Sequence, residues 1–137
     1  MVEESLYWTI VYSRWIDVAG WSVFGPRVFG FLPPPLRWIV PPLIRKRVAR
    51  TLHGQGTTRH SRDEIYAFGG RDVGALATLL GDRPYMLGDK PTSLDATATG
   101  FLVNILHAPL ETGLKAETAK HANLVAYAER MRAMLKG

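Results

Sequence analysis

The sequence contains no cysteine, which excludes disulfides, thiolate metal sites and a cysteine nucleophile. It also lacks a long uninterrupted hydrophobic run. The stretch from Ser5 to Pro42 is rich in Trp, Phe and Pro, but it is divided by four charged residues, Arg14, Asp17, Arg27 and Arg37. The pieces between charges are much shorter than the roughly 18 residues of a membrane-spanning helix. The N-terminus Met-Val-Glu-Glu-Ser is acidic where a secretory signal is basic, so we expect a cytoplasmic location and no transmembrane segment.

Charged residues make up 21% and hydrophobic residues 47% of the 137 residues, a balance typical of a globular protein. This length predicts a single domain over residues 1–137 with a sizeable core. The net charge is +5, and the run "RKRVAR" at 45–50 is strongly basic. At helical spacing these charges spread over the exposed faces, and no nucleic-acid reading motif accompanies them. We therefore interpret the run as a solvated face and do not expect nucleic acid as a partner.

The four histidines show no metal-binding spacing, so we predict no metal site. His60, Ser61 and Asp63 supply the letters of a catalytic triad, but adjacent residues at a helix start do not converge in space. Ser61 with Glu64 instead matches a capping box, in which two side chains satisfy free backbone N–H groups. Thr92 with Asp95, in "GDKPTSLDATATG", follows the same pattern. We assign these four residues to structural capping and predict no catalytic residue in the chain.

Hydrophobic periodicity predicts an all-α fold, with five to six helices around a buried central helix at about 93–107. The first helix carries large apolar side chains at three-and-four spacing and is expected to stop near Gly20. Residues 21–42 contain six prolines and two glycines, which predicts an ordered connection with at most a helical turn at 36–40. A second helix should begin near Pro41 and end at Gly54 to Gly56. Further helices are predicted from Ser61 to Gly81, near 113–120 and over 123–135.

Three stretches resemble the C-terminal domain of glutathione S-transferases: "IRKRVARTLHGQGTTRHSRDEI", "LATLLGDRPYMLGDKPTSLDATATGFL" and "HANLVAYAERMRA". The capping box ahead of the central helix is a feature of that domain. Taken together, the three stretches are similar to the branch of the superfamily that contains the metaxin and failed axon connections proteins. One departure is Ala122, where this branch commonly has proline. The resemblance covers about 6–133 and implies a helical bundle of the glutathione S-transferase C-terminal type.

The resemblance also implies an upstream thioredoxin-like domain that binds glutathione, and no part of this chain has the strand pattern of such a domain. We therefore expect that the chain, whether an excised half or a stand-alone domain, has no cofactor of its own and is inactive alone. Glutathione would be the cofactor of a catalytic parent, which would be a glutathione transferase. In that family the first helix lines the pocket for an apolar co-substrate. This nominates as substrate-binding residues Tyr7, Trp8, Val11, Tyr12, Arg14 and Trp15, although helical geometry cannot put all of the aromatic ones on one surface.

Two functions follow as expectations. The first is the helical domain of a glutathione S-transferase-like protein, forming the hydrophobic co-substrate side of the site and packing on the thioredoxin-like domain. The alternative is a non-catalytic protein-interaction or membrane-associated scaffold module of metaxin type. An apolar small molecule is an expected ligand of the first. If the usual contact surface is bare, self-association would cover it, so we also expect a homo-oligomer.

Overall fold

The computed structural model describes residues 2–137, and side chains from Glu4 onward, as an all-helical fold. Within these residues seven α-helices and one short 3-10 turn occur, and the only β-type pairing is an isolated bridge between Tyr85 and Gly88. The helices are α1 (Val2–Trp15), α2 (Val18–Phe29), α3 (Leu36–Gln55), α4 (Arg62–Leu80), α5 (Ser93–Leu106), α6 (Gly113–Ala119) and α7 (Ala122–Lys136).

The proline-rich segment is helical except at residues 30–35, so the prediction of a connection over the whole of 21–42 is wrong. Helix α2 continues through Pro26, and α3 begins at Leu36 with Pro41 and Pro42 in its second turn. A proline inside a helix removes one N–H donor to the carbonyl four residues earlier. For α3 those carbonyls belong to Arg37 and Trp38, which are both exposed, so water can take the place of the lost donors. This raises the helix count above the expected five to six.

The principal core lies between α1, α4, α5, α6 and α7. Its fully buried side chains include Leu6 of α1, Val73 of α4, Leu102 of α5 and Tyr127 of α7. A smaller cluster of Tyr12, Leu52 and Ile65 joins α1 to α3 and α4. The fold is therefore a bundle in which α5 packs against α7 and α6, with α1 and α4 beside them.

Helix α5 matches its predicted bounds but is not buried all round. Ala98, Thr99, Leu102 and Ile105 are buried, whereas Ala96, Gly100 and Asn104 are exposed at spacings of four residues. This spacing places the three exposed residues on one side of the helix. In this chain α5 thus has an open face of small side chains, and the expectation of burial on most sides is wrong.

Two glycines allow helices to approach closely. Gly20 does not stop the first helix but lies in the first turn of α2, where an added Cβ would overlap the carbonyl oxygen of Ser13 in α1. Gly69 lies inside α4, where a Cβ would be 2.8 Å from Thr9 Cγ2 and 2.9 Å from Leu114 Cδ1. The glycine pair at 69–70 lies in a continuous helix and makes room for neighbouring side chains.

Across residues 2–137, no helix has both the length and the hydrophobicity that crossing a membrane requires.

Candidate functional site

A groove of about 350 Å³ opens between the end of α1, the middle of α2 and the C-terminal end of α5. The helix ends meet here because α1 and α2 are joined by a tight turn at Asp17, which caps α2, and because α5 stops before Pro109. The walls of the groove combine apolar and cationic side chains. The lining residues are Arg14, Phe24, Arg27, Val103, Asn104, His107, Ala108, Pro109 and Leu110.

Arg14 is the polar centre of this groove. Its Nη2 donates to the backbone oxygen of Asn104 at 3.0 Å and to the side-chain oxygen of the same residue at 3.2 Å. The guanidinium also lies 6.0 Å from the centre of the Phe24 ring. Burial lowers the pKa of Arg14 from its ordinary value. The arginine is therefore held in place by α5 and presents a fixed cation beside an apolar wall.

The rim of the groove adds a second cation and a histidine. Arg27 is exposed and has no ion pair among the described residues. His107 is half-buried, and its Nε2 lies 2.9 Å from Glu129 Oε1, which ties the end of α5 to α7. This arrangement can bind a small apolar molecule and offers cationic groups to any negative charge that the molecule carries or develops.

A second groove, of about 380 Å³, runs along the open face of α5. One wall is formed by Ala96, Gly100 and Val103 of α5, and the other by Met131 and Leu135 of α7. Val103 and Asn104 belong to both grooves. The two grooves are therefore neighbouring parts of one exposed surface centred on α5.

The residues nominated from the first helix are divided between different surroundings. Of the six, only Arg14 lines the groove. Trp8 and Val11 pack on the cluster around buried Tyr12, and Tyr7 is 50% exposed. Trp15 lies behind the groove wall, with its ring centre 5.1 Å from that of Phe24.

Sequence reasoning missed most of the groove. Phe24 and Arg27 lie in the segment interpreted as a connection, and residues 103–110 come from the last turn of α5 and the loop after it. Prolines at 26 and 33–35 hid the helical pattern of α2. A periodicity count that tolerated one proline would have placed Phe24 and Arg27 on a helix following α1.

Asp95 is the best-connected buried carboxylate of the bundle, and it does more than cap a helix. Thr92 and Asp95 form a capping box at the start of α5. The Asp95 carboxylate also accepts hydrogen bonds from the Met86 N–H at 2.8 Å and from the Tyr127 hydroxyl at 2.7 Å. Burial alone would raise the pKa of Asp95, but the hydrogen bonds outweigh burial and lower it. Burial, together with the nearby Asp95 charge, raises the pKa of Tyr127 to about 12.

The other capping box lies at the start of α4. Ser61 Oγ accepts from the Glu64 N–H at 3.2 Å, and Glu64 Oε2 accepts from the Ser61 N–H at 2.7 Å. Neither box adjoins the groove at Arg14. The four capping residues fix where helices begin, and Thr92 and Asp95 also line the second groove along α5.

Asp17 forms a second buried anchor that the sequence did not reveal. Its carboxylate accepts from the Ala19 N–H, the Tyr66 hydroxyl at 2.5 Å and Arg62 Nε at 3.0 Å. Burial opposes ionisation, yet the hydrogen bonds to Tyr66 and Arg62 lower the pKa of Asp17. This network ties the turn between α1 and α2 to α4 and so fixes one side of the groove.

Arg45 holds the same turn from the other side. Its Nε donates to the Trp15 carbonyl at 2.7 Å and its Nη2 to the Ile16 carbonyl at 3.1 Å. Its guanidinium lies 4.9 Å from the centre of the Trp21 ring. Assigning Arg45 to a solvated face was therefore wrong, because this cation satisfies carbonyls at the C-terminal end of α1.

Among the described residues, no group of three or more His, Cys, Asp or Glu side chains is placed to hold a metal ion.

Comparison with known proteins shows which family this chain resembles. Residues 69–131 match the family described as "Glutathione S-transferase, C-terminal domain". The chain is 34% identical over 134 residues to the isoprene-epoxide–glutathione S-transferase of Rhodococcus sp. (strain AD45), an alignment covering 96% of the chain and 56% of that enzyme. No solved structure gives a significant match.

Two relatives belong to the branch indicated by the sequence. The mitochondrial outer membrane import complex protein metaxin of Arabidopsis thaliana is 28% identical over 137 residues, covering 96% of the chain and 41% of that protein. Failed axon connections of Drosophila melanogaster is 32% identical over 83 residues, covering 58% of the chain and 19% of that protein. The chain thus spans about half the length, or less, of the curated relatives it matches. With its all-α bundle and its capped central helix, the chain matches the glutathione S-transferase C-terminal domain family over residues 69–131, and its relatives include members of the metaxin-like branch.

Proposed function

We propose that this chain is the helical domain of a glutathione S-transferase-like protein, forming the apolar co-substrate side of its site and packing on a thioredoxin-like domain. The observation that carries the proposal is the exposed surface of α5, where two adjoining grooves meet at Val103 and Asn104. A helix lined with small residues allows close approach of another domain, and its apolar neighbours favour such burial.

The groove at Arg14 suits the co-substrate part of this role. Its volume of about 350 Å³ falls in the range of small-molecule sites, which are mostly apolar with a few placed polar groups. The Rhodococcus relative is named for an epoxide co-substrate, so we propose a small apolar electrophile as the ligand here. Opening of an epoxide develops negative charge on oxygen, which the Arg14 guanidinium would stabilise. Glutathione and the group that activates its thiol would come from the thioredoxin-like domain, in a cytoplasmic protein.

The test uses two tryptophan substitutions in the full-length protein. Gly100 lies on the open face of α5 and Gly74 on α4, and a Cβ at either position has no atom within 4 Å. Both Gly100→Trp and Gly74→Trp should therefore leave the isolated chain folded. In the full-length protein, Gly100→Trp should lower glutathione transfer to a small epoxide or aromatic halide at least tenfold, whereas Gly74→Trp should leave it unchanged.

Two results would overturn this proposal. One is equal activity of the two tryptophan variants, which would mean that the α5 face contacts neither the thioredoxin-like domain nor the substrate. The other is the complete lack of glutathione transfer by the full-length wild-type protein. Sedimentation of the isolated chain tests the related proposal that the bare α5 face is covered by a second copy, and Gly100→Trp should then shift the dimer towards monomer.

A second candidate function is a non-catalytic scaffold module that contacts a protein or a membrane surface, as the metaxin relatives suggest. The observation that favours it is a set of exposed apolar side chains at the end of the α2–α3 pair, among them Phe31 at 81% and Trp38 at 70% exposure. Co-purification with tagged wild-type chain, compared with Trp38→Ala, tests it. The candidate fails if the wild type recovers no protein and binds no lipid.

A further inference from the structure

We propose that the α2–α3 pair carries a binding surface for anionic lipid membranes, with the start of α3 inserted and its later turns at the headgroups. This deepens the second candidate function, since it names the partner and the residues. The surface consists of two parts. We call Phe31, Leu36, Trp38, Ile39 and Leu43 the apolar tip, and Lys46, Arg47 and Arg50 the basic stripe.

The apolar tip is exposed on more than one side of the helix. Leu36, Ile39 and Leu43 are 46%, 53% and 61% exposed and share one side of α3 by their spacing. Trp38 lies on another side and is 70% exposed, and Phe31 adds an 81% exposed ring in the preceding turn. An exposed set of large apolar side chains, interrupted at the start of the helix only by Arg37, marks an interaction surface. Here nothing in the described chain covers it.

The basic stripe continues the same side of α3. Residues 36, 39, 43, 46 and 50 follow one another at three- or four-residue spacing, and residue 47 lies four residues after 43, so the apolar stripe becomes basic along the helix axis. All six side chains are exposed. At 1.5 Å per residue, Arg50 lies roughly 10 Å beyond Leu43. That distance matches an apolar end buried about 5–10 Å into the headgroup–acyl boundary, with cations left among the headgroups.

Charge identifies the partner as anionic. Residues 18–62 contain eight of the 17 Lys and Arg residues and none of the 12 Asp and Glu residues. Arg45 and Arg62 are engaged by α1 and by Asp17, but Lys46, Arg47 and Arg50 have no ion pair within the described part of the chain. Packing against a second copy through this surface would bring like charges together. An extended anionic lipid surface both neutralises the cations and accepts the apolar tip.

The experiment measures partition of the chain onto vesicles of phosphatidylcholine with and without 30% phosphatidylserine, by flotation at low and high salt. Wild type should bind the anionic vesicles at least tenfold more strongly than the neutral ones and weaken as salt rises. Each cation near such a surface changes partition roughly fivefold, so the K46Q/R47Q/R50Q variant should bind about 100-fold less. A control with equal loss of charge, R71Q/K90Q/K136Q, should change binding less than threefold.

A second pair of variants, one at the apolar tip and one control, tests the apolar contribution to binding. W38A/L43A should lose binding to anionic vesicles at least tenfold, whereas L87A/M134A, which truncates two exposed apolar side chains elsewhere, should not. In wild type, Trp38 entering the interface should shift tryptophan emission to shorter wavelength, and the shift should be absent in W38A. All substituted side chains are exposed, and thermal unfolding verifies that each variant folds.

Three outcomes would overturn the proposal. These are no binding to anionic vesicles, equal weakening by the two charge variants, or binding to polyglutamate without binding to vesicles. The last would assign the basic stripe to an acidic protein and leave the scaffold function standing. Glutathione transfer by the full-length protein is proposed to use the two grooves at α5, which share no residue with the apolar tip or the basic stripe, so its failure is separable from failure here.

Discussion

Replacing Asp95 by alanine should destabilise this domain more than any other single loss of a helix cap. The carboxylate is 1% exposed and accepts from the backbone of Met86, from Thr92 and from the hydroxyl of Tyr127. It therefore connects three parts of the bundle: the turn before α5, the start of α5 and the middle of α7. Its removal leaves the Met86 N–H and the Tyr127 hydroxyl without their carboxylate acceptor in places that water does not reach, whereas Thr92 is exposed.

The loss of stability in Asp95→Ala can be estimated from the donors that lose their acceptor. Met86 and Tyr127 are 0% and 1% exposed, and an unsatisfied buried polar group costs about 1–3 kcal/mol. Losing the cap of α5 adds about 1 kcal/mol. The expected total is about 4 kcal/mol, a large part of the roughly 5–15 kcal/mol that stabilises a domain of this kind. The melting temperature should fall by roughly 15 °C.

Urea unfolding followed by tryptophan fluorescence gives the free energy of unfolding for each variant. Tyr127→Phe removes only one of the donors and should cost about 1–2 kcal/mol. Ser61→Ala, at the exposed start of α4, is the matched cap control and should cost about 1 kcal/mol. If Asp95→Ala costs no more than Ser61→Ala, the network around α5 does not stabilise the fold as argued.

Three further predictions test the packing and the ionisation. Gly69→Ala should lower the free energy of unfolding by about 1–3 kcal/mol, because the added methyl group meets Thr9 and Leu114. Gly74→Ala, with no atom near its Cβ, should raise it by about 0.4–1 kcal/mol. Urea unfolding measures both, and equal effects would contradict the close approach of the helices at Gly69. Arg45→Met should cost about 1–2 kcal/mol in the same assay because two α1 carbonyls lose their donor, and an unchanged midpoint would refute this. Because folding raises the pKa of Tyr127 to about 12, its contribution is present below about pH 10 and is lost as pH rises towards 12. Alkaline melting curves should show this loss in wild type but a smaller one in Tyr127→Phe.

Acid should act on the carboxylates in the opposite direction. Folding lowers the pKa of both Asp17 and Asp95, so the stability that they contribute is present above about pH 4. It is lost as the pH falls through their folded pKa values. Melting temperatures measured from pH 6 to pH 2 should fall in wild type, and Asp95→Asn should flatten this dependence. Parallel curves for the two proteins would contradict the role of Asp95.

The sequence by itself determined the class of fold and most helix boundaries from α4 onward. Capping boxes, glycine stops and three-and-four spacing are local, since the partners lie within four residues of each other, and so they can be recognised in one chain. The same locality made Thr92 and Asp95 visible as a helix start. It also made the family resemblance specific, because the capping box and the turn before it occupy one continuous stretch.

Only the tertiary structure decided helix α2, the early start of α3 ahead of Pro41, the groove and the open face of α5. Prolines carry a local penalty, and what offsets it in α2 and α3 comes from Arg45, the aromatic side chains around Trp15 and solvent at the exposed carbonyls. The groove joins Arg14 to Asn104 across 90 positions of sequence. Which side of α5 is covered depends on what packs against it, and a single helix's pattern of small and apolar residues does not contain that information.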